Sequence, residues 1–457
     1  MNKKHIRHLY WRAGFGIDPK SLEAIANKSR FEVVDELFYA SRRSTPLYFD
    51  KSDLKDIDPE HINTDKRARE NLRLLLIEKT KDLNLLWIDR LRNPKELLRE
   101  RMTLFWANHF VCQSNNAVFA EQYNNTLRMM ALGNFRTFVK AISREAAMIN
   151  YLNLKQNRKT SPNENFAREL MELFTLGRGH YTEQDIKESA RAFTGYGHDF
   201  YGKFQFRKRQ HDYQRKTFFK RSGRFDGDDI IDIILLEKKC AKFICEKVYK
   251  SFVNENLNEN HIDQMVDIFY PSYDIEKLMR FVFMSDWFYD EVNIGTKIKS
   301  PVELLVGLSN TVPIQFNKKR QVLSIQRMLG QLLLFPPNGA GWKTGQNWID
   351  SNTIILRFRL PALLLNDAAI AFKDEGEFHD KLYNEMIKKR GKDIFLADAN
   401  WAYFRDNFDR IDLEQLPDYI LQCKLSDSTS RMFKKLRKDD KESYALQLMS
   451  IPEYQMC

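Results

Sequence analysis

The chain has 457 residues, of which 43% are hydrophobic and 30% are charged, and it carries a formal net charge of +11 at pH 7. This balance excludes wholesale disorder, and the lack of any run of about eighteen apolar residues argues against a transmembrane helix. The positive charge favours an anionic partner, such as a nucleic acid or an acidic surface, but it does not indicate a fold.

The sequence begins MNKKHIRHLYWRAGFG, which has two lysines but no apolar stretch of signal-peptide length. We therefore expect a cytoplasmic protein, with co-export beside a signal-bearing partner as the alternative. The five cysteines show no CxxC spacing and are poor evidence for a disulfide framework or a zinc site. We expect them to be buried free thiols: Cys112, Cys240, Cys245, Cys423 and Cys457.

Apolar residues recur at helical spacing along most of the chain. The segment 98–110, LRERMTLFWANHF, places Met102, Phe105, Trp106 and His109 on one broad face. A second long amphipathic pattern follows the acidic residues at 226–229. We predict a mostly α-helical fold: one large, multi-helix, orthogonal or bundle-like unit over residues 1–457. The polar stretch 51–67 is expected to be a loop.

A basic, aromatic segment lies just before the middle of the chain. Residues 198–225 alternate phenylalanine with basic residues, and YGK and RSG act as turn signals, so a small antiparallel β excursion is predicted near 200–225. Cations interleaved with stacking rings suit single-stranded nucleic acid, a sulfated or phosphorylated polymer, or an acidic protein. The simpler alternative is a solvated, charged hairpin packed over aromatic residues.

Residues 161–196 predict two short helices. The first is expected to begin with Ser161 as N-cap, in a capping box with Glu164, and to end at Gly177. The second is expected to begin at Thr182, whose side chain would cap it together with that of the residue three positions later.

One side of the first helix carries a polar stripe: Asn165, Glu169 and Glu172, with Arg168 adjacent. Two carboxylates one turn apart can bind a hard cation or share a proton, and an arginine beside them can hold one ionised. The alternative is a set of salt bridges that only fixes helix orientation. We expect the stripe to point inward and to meet His109 in a buried hydrogen-bonded network.

Several motifs occur together in a characteristic order: HLYWRAGFG, LRERMTLFWANHF, NENFARELMELFTLG, YTEQDIKESARAFTGY, HDYQRK, KSPVELLVGL and PPNGAGWKTGQNWI. In these motifs the chain resembles the bacterial family catalogued as domain of unknown function 1800, over nearly its whole length. Together with the residue chemistry, this resemblance marks as catalytic candidates His109, Arg168, Glu169, Glu172 and His211. It marks as binding candidates Arg99, Trp106, Asn165, Tyr181, Arg191, Asp212, Lys216 and Trp342.

The resemblance implies no established reaction. Genes of that family often lie beside those of a second family, number 1501, which resembles alkaline-phosphatase and sulfatase-like hydrolases. We therefore expect an accessory or scaffold protein that acts with a hydrolase-like partner on an anionic substrate. One alternative is an enzyme with a His/Glu/Arg pocket that could use a metal ion, and another is a nucleic-acid-binding protein that uses the basic hairpin.

Standard enzyme signatures are missing from the sequence. It has no Walker A loop, no glycine-rich dinucleotide fingerprint, no Gly-x-Ser-x-Gly elbow and no Glu-x-x-His pair of the ferritin-like type. These observations argue against a P-loop enzyme, a Rossmann dehydrogenase, a serine hydrolase and a di-iron protein. They leave the cofactor, the metal content and the oligomeric state unassigned.

Overall fold

A computed structural model describes residues 1–55, 57–366, 397–435 and 440–457. These residues contain 22 α-helices and three small antiparallel sheets of two strands each, which confirms the mostly α-helical class. Within the described ranges, no helix combines the length and the apolar character needed to cross a bilayer.

The first half of the chain contains the helices α1 (Lys3–Ala13), α2 (Pro19–Ile25), α3 (Arg30–Ala40), α4 (Pro59–Thr64), α5 (Lys66–Arg92), α6 (Leu97–His109), α7 (Ala117–Met130), α8 (Phe135–Ile142), α9 (Ala146–Tyr151), α10 (Asn165–Glu169) and α11 (Glu183–Ala192). A π-helix, Leu170–Thr175, directly continues α10. Three 3-10 turns occur in this half and just after it, at Ser52–Leu54, Leu154–Gln156 and Lys208–Gln210.

The second half contains the helices α12 (Gly227–Ile234), α13 (Lys238–Phe252), α14 (Glu259–Phe269), α15 (Ile275–Met284), α16 (Pro301–Thr311), α17 (Gln321–Leu329), α18 (Ser351–Leu365), α19 (Trp401–Phe408), α20 (Leu416–Ile420), α21 (Asp427–Lys435) and α22 (Lys441–Met449). Its 3-10 turns are Asp286–Tyr289, Glu291–Asn293, Gly345–Trp348 and Pro452–Gln455.

The β structure consists of three antiparallel pairs: β1 (Tyr196–His198) with β2 (Phe204–Phe206), β3 (Lys216–Phe218) with β4 (Arg221–Gly223), and β5 (Ile314–Phe316) with β6 (Ala397–Ala399). The predicted β excursion therefore contains two successive hairpins. The third pair was not predicted, because its strands have only three residues each and lie far apart in the sequence.

Two predicted boundaries differ from the structure. The stretch 51–67, expected to be a polar loop, holds a 3-10 turn and α4, and α5 begins inside it. The side chains of Asp58 and Asp65 cap α4 and α5, so the polar residues here include helix-start signals. The long pattern after residue 226 forms two helices, α12 and α13, with a break at 235–237.

The core has two apolar clusters, and α6 contributes side chains to both. Trp106 lies in the first cluster, with α7 to α15, whereas Leu104 lies in the second, with α5 and α16 to α18. Between them, the buried Glu100 accepts hydrogen bonds from Arg128 Nε at 2.6 Å and Trp87 Nε1 at 3.3 Å. Charged groups of α6 are therefore enclosed where the two clusters meet.

The five cysteines are free thiols, as predicted. Cys240, Cys245 and Cys457 are buried, whereas Cys112 and Cys423 are partly exposed.

Candidate functional site

The helix with the polar stripe starts later than predicted. It begins at Asn165, and Ser161 instead pairs with Arg158 in an isolated β-bridge. The side chain of Asn163 accepts the Asn165 N–H at 3.1 Å, so a turn occupies the place of the expected capping box. Gly177 ends the helix in the left-handed conformation, with φ +80, as its position predicted.

The polar stripe lies at the surface. Arg168 pairs with Glu164 at 3.2 Å and with Glu183 at 3.0 Å. Glu172 accepts hydrogen bonds from Arg178 at 2.5 Å and from the Tyr181 hydroxyl at 3.1 Å. The expectation that the stripe points inward to His109 is therefore wrong. Apolar residues fill the inward face instead: Phe166, Leu170, Met171 and Phe174.

The two carboxylates of the stripe have different environments. Burial, and then the charge of Glu172, raises the pKa of Glu169, which accepts no hydrogen bond from any residue in the described ranges. The hydrogen bond from Arg178 lowers the pKa of Glu172. Burial, followed by the hydrogen bond to Glu172, raises the pKa of Tyr181 to about 12. The pair can therefore hold one proton asymmetrically, on Glu169.

His109 is a core residue with 3% of its surface exposed. Its Nε2 donates to the Phe174 carbonyl at 3.0 Å, and the rings of Trp106 and Phe110 lie 5.3 and 4.5 Å away between centroids. Burial, with a smaller effect from the charge of Lys247, lowers its pKa well below 6.5. His109 is therefore a neutral side chain bonded to backbone, the simpler of the two readings.

Lys247, which was not predicted as a site residue from the sequence, binds the same end of the π-helix as His109. Its Nζ donates to the Leu173 carbonyl at 3.0 Å, next to the carbonyl that His109 binds. Burial lowers its pKa to about 8. The last carbonyls of a helix have no partner within it, so two side chains from α6 and α13 serve the end of the π-helix.

Other predicted binding residues of α6 fasten it to its neighbours. Arg99 donates to the backbone carbonyls of Ser41 and Arg128, both at 2.9 Å. Trp106 Nε1 donates to the Ala131 carbonyl at 3.0 Å. Both side chains are buried, so their contacts orient helices and leave no surface for a ligand.

Asn108 links α6 to the loop 336–342. Its Oδ1 accepts the Trp342 N–H at 2.7 Å, and the Trp342 side chain is buried. Gly341 adopts φ +87 at a point where an added Cβ would lie 2.3 Å from the Asn108 side chain. Trp342 is thus a packing residue, and its contact with Asn108 joins the PPNGAGW and WANHF motifs.

A second polar group, the α11 cluster, does bring predicted site residues together. Arg191 Nε donates to Asp212 at 2.7 Å, and Lys216 Nζ donates to the Asp212 carbonyl at 2.5 Å. His211 Nδ1 donates to the Thr194 carbonyl at 2.9 Å. Four predicted residues therefore share one network, although none of them contacts the stripe of α10.

Two acids of α11 that the sequence analysis did not assign to this site complete the α11 cluster. Glu188 binds Arg191 at 3.0 Å and accepts the Thr217 N–H at 2.7 Å, and Asp185 accepts the Phe219 N–H at 3.1 Å. Their spacing of three residues within one turn was the available signal. These bonds fasten the β3–β4 hairpin to α11.

Both hairpins are rich in basic residues. Residues 203–224 contain nine basic residues against one acidic residue, and Lys216 is the basic residue that is buried. The other eight form the basic hairpin surface: Lys203, Arg207, Lys208, Arg209, Arg215, Lys220, Arg221 and Arg224. None of the eight makes an ion pair with a residue that the structure describes.

Aromatic rings and a strained turn accompany these cations. Tyr201, Phe206 and Tyr213 are exposed by 64%, 37% and 56%. Phe219 and Lys220, at the tip of the β3–β4 hairpin, adopt φ +45 and +61, which side-chain-bearing residues rarely do. The hydrogen bond to Asp185 holds this turn, which projects Lys220 into solvent.

Among the described residues, no group of three or more His, Cys, Asp or Glu side chains is placed to hold a metal ion. Cavities of about 520 and 590 Å³ lie elsewhere, one beside Trp401 and Arg405 and the other beside Arg92 and Ile314. Neither is lined by a predicted site residue.

Residues 8–456 match the family model described as "Protein of unknown function (DUF1800)", so the chain belongs to this family. The match confirms the resemblance seen in the motifs. No curated protein and no solved structure matches the chain. The description of the family assigns no activity, and function has to be argued from the geometry.

Proposed function

We propose that this chain is an accessory protein that holds an anionic polymer on its basic hairpin surface while a hydrolase-like partner acts on the polymer. The observation that carries the proposal is the set of eight cations without an ion-pair partner in the described ranges. Like charges concentrated in one short segment repel, and the phosphate or sulfate groups of a polymer would relieve that repulsion.

The support beneath this surface fits a binding role. The α11 cluster fixes β3 and the hairpin turn through hydrogen bonds from Thr217 and Phe219 to buried acids. Gly195 joins α11 to the first hairpin, with φ +86 and the Arg207 carbonyl only 2.8 Å from where a Cβ would be. A fixed platform lowers the ordering cost of binding, and backbone strain at exposed turns often accompanies function.

The geometry gives less support to the enzyme alternative. His109 lies in an aromatic core and binds backbone, whereas Glu169 and Glu172 lie at the surface. A general base must come within about 3 Å of the proton that it removes, and His109 has no exposed path to that position.

The exposed aromatic rings indicate which kind of polymer this surface would bind. Tyr201, Phe206 and Tyr213 offer flat faces beside the cations, which suit the apolar faces of sugars as well as bases. We propose a polymer that carries sulfate or phosphate esters, because the expected partner resembles phosphatases and sulfatases. Nucleic acid is the competing ligand for the same surface.

The test is a triple variant, Arg209→Ser/Arg215→Ser/Arg221→Ser, measured for binding to heparin and to a single-stranded oligonucleotide over a range of salt concentrations. We expect weaker binding of heparin and a salt dependence less steep than that of the wild type. Two results together would replace the proposal by nucleic-acid binding. The wild type would prefer the oligonucleotide, and in the variant the slope of log K against log salt concentration for that ligand would be smaller by about 2.

A matched control removes three exposed arginines that also lack ion pairs in the described part of the chain: Arg43, Arg67 and Arg327. The control has the same net charge as the test variant, so an equal loss of binding in both would refute a localised surface. The partner is tested separately, by the rate at which a purified family-1501 hydrolase releases ester groups with and without this chain. No acceleration would remove the partner and leave polymer binding intact.

A further inference from the structure

Five basic side chains surround the carboxylate of Glu303; four of them are buried, and Lys297 is partly exposed. They come from α1, α6, α18 and the extended segment 297–299, and they form the cationic cluster: Arg12, Arg101, Lys297, Lys299 and Arg357. Arg12, Lys299 and Arg357 are each 0% exposed. Fully buried cations normally have a paired acid or another anion beside them.

Glu303, at the start of α16, is the carboxylate that pairs with this cluster in the described ranges, and its oxygens are already engaged. It binds Arg101, and Lys297 Nζ lies 2.7 Å from its Oε1. Its Oε2 accepts the Ser300 N–H at 2.6 Å. Arg12, Lys299 and Arg357 are therefore left without an ion pair.

Several donors around these three residues have no hydrogen-bond partner. Arg12 uses Nη2 to bind the Asn293 carbonyl at 2.9 Å, and its Nε and Nη1 are unpartnered. Arg357 binds Gln455 Oε1 through Nε at 2.9 Å, and its Nη1 is unpartnered. Buried donors of charged groups are rarely left this way, which indicates a missing acceptor.

Lys299 lies between aromatic rings. Its Nζ is 4.1 Å from the Trp11 ring centroid and 3.7 Å from that of Tyr454, and it donates to the Tyr454 carbonyl at 2.7 Å. Burial lowers the pKa of Lys299 to about 7. Ring faces stabilise a cation but do not neutralise it. Burial lowers the pKa of Arg12, and the nearby Cys457 and Glu303 offset only part of that shift.

From this geometry we propose that a small inorganic anion binds inside the cationic cluster and accepts hydrogen bonds from the unpartnered Arg12 and Arg357 nitrogens. Guanidinium groups present N–H donors in a fixed fork that suits halides and tetrahedral oxyanions. The site is closed by residues 455–457, whose backbone bonds to Lys297 and Lys299 at 2.7 to 3.1 Å. The anion is therefore enclosed as the chain folds.

The cationic cluster also unites motifs that the proposed function leaves unused. Arg12 belongs to HLYWRAGFG, Arg101 to LRERMTLFWANHF, and Lys299 and Glu303 to KSPVELLVGL. Segments almost 300 residues apart in the chain thus contribute to one site, and the anion would join α1 to α18 through Arg12 and Arg357.

The direct test is crystallography of the full chain refolded with bromide or selenate as the principal anion. We expect an anomalous difference peak within hydrogen-bond distance of Arg12 and Arg357. Bromide would identify a halide site and selenate an oxyanion site. The absence of a peak with both anions would overturn the proposal, because the chain itself would then neutralise the cluster.

A solution test compares thermal unfolding in chloride, sulfate and a bulky organic anion at equal ionic strength. The Tm of the wild type should rise with the logarithm of small-anion concentration, as linkage requires, and Arg357→Met should lose that rise. Arg92→Met is the matched control, because Arg92 also has an unpartnered buried nitrogen but lies outside the cluster. Equal responses from wild type and both variants would refute the site, and the crystallographic result stands even if Arg357→Met fails to fold.

Discussion

Removing the charge of Glu303 should be among the most damaging single changes in the protein. Glu303→Gln keeps the shape of the side chain and an acceptor for the Ser300 N–H, but it leaves Arg101 and Lys297 without their carboxylate. Breaking a buried ion pair by removing one partner costs about 3–5 kcal/mol. We expect a loss of that size in the free energy of unfolding.

Urea-induced unfolding, followed by tryptophan fluorescence and circular dichroism, would measure this loss. Glu442→Gln is the control, because Glu442 pairs with Arg405 at the surface and exposed pairs are worth about 0–1 kcal/mol. A double variant, Glu303→Gln/Arg101→Met, should recover part of the loss, since it removes one of the unpaired cations. A cost below about 1 kcal/mol for Glu303→Gln would refute the claim that Glu303 stabilises Arg101 and Lys297 as a buried ion-paired group.

Acid should weaken the same contact. Burial by itself would raise the pKa of Glu303, but Arg101 and Lys297 outweigh it and lower the pKa below the ordinary value. The unfolded chain therefore takes up the proton first as pH falls. The stabilisation by Glu303 is complete above its unfolded pKa, near 4.5, and is lost progressively as the pH falls below that value.

Further substitutions test the other parts of the structure. Burial lowers the pKa of His109 well below 6.5, so the unfolded chain binds this proton first as the pH falls. The free energy of unfolding should therefore decrease below about pH 6.5. This residue should contribute at most about 1.4 kcal/mol of that decrease per pH unit. His109→Gln should lessen that slope in urea unfolding measured across pH, and an unchanged slope would contradict its burial as a neutral group. Glu169→Ala/Glu172→Ala should change the free energy of unfolding by less than about 1 kcal/mol, because the stripe lies at the surface, and collapse of the fold in circular dichroism would refute that placement. Asp212→Asn should cost about 1–3 kcal/mol and speed amide exchange in the two hairpins, because Arg191 loses one of its two carboxylate partners, and unaltered exchange would show that the α11 cluster does not hold them.

The sequence predicts features whose causes are local. The second of the two helices predicted within 161–196 begins as expected, because the side chains of Thr182 and Asp185 form the capping box within four residues. Gly177 and Gly195 end their helices with positive φ for the same local reason. The helical class follows from apolar spacing summed over many segments.

Features that depend on tertiary contacts could not be predicted in this way. Phe166, Leu170 and Phe174 share one side of the stripe helix and the polar residues share another, but nothing local says which side His109 occupies. The cationic cluster is still less accessible to sequence reasoning. Arg12 and Arg357 lie 345 positions apart in the chain, and the local sequence around each would predict an ordinary surface arginine.

The π-helix at 170–175 is a position where the chain could lose one residue and remain helical. A π-turn contains one more residue than an α-turn, so a deletion of one residue there would allow a regular α-helix between the same neighbours. The side chains on one side of the deletion would then rotate by about 100° around the axis, and Glu169 would face a different part of the surface. The carbonyls of Leu173 and Phe174 would shift as well, which would leave Lys247 and His109 without their acceptors. The extra residue thus fixes the rotation about the helix axis that places the polar stripe outward while the carbonyls of Leu173 and Phe174 reach Lys247 and His109.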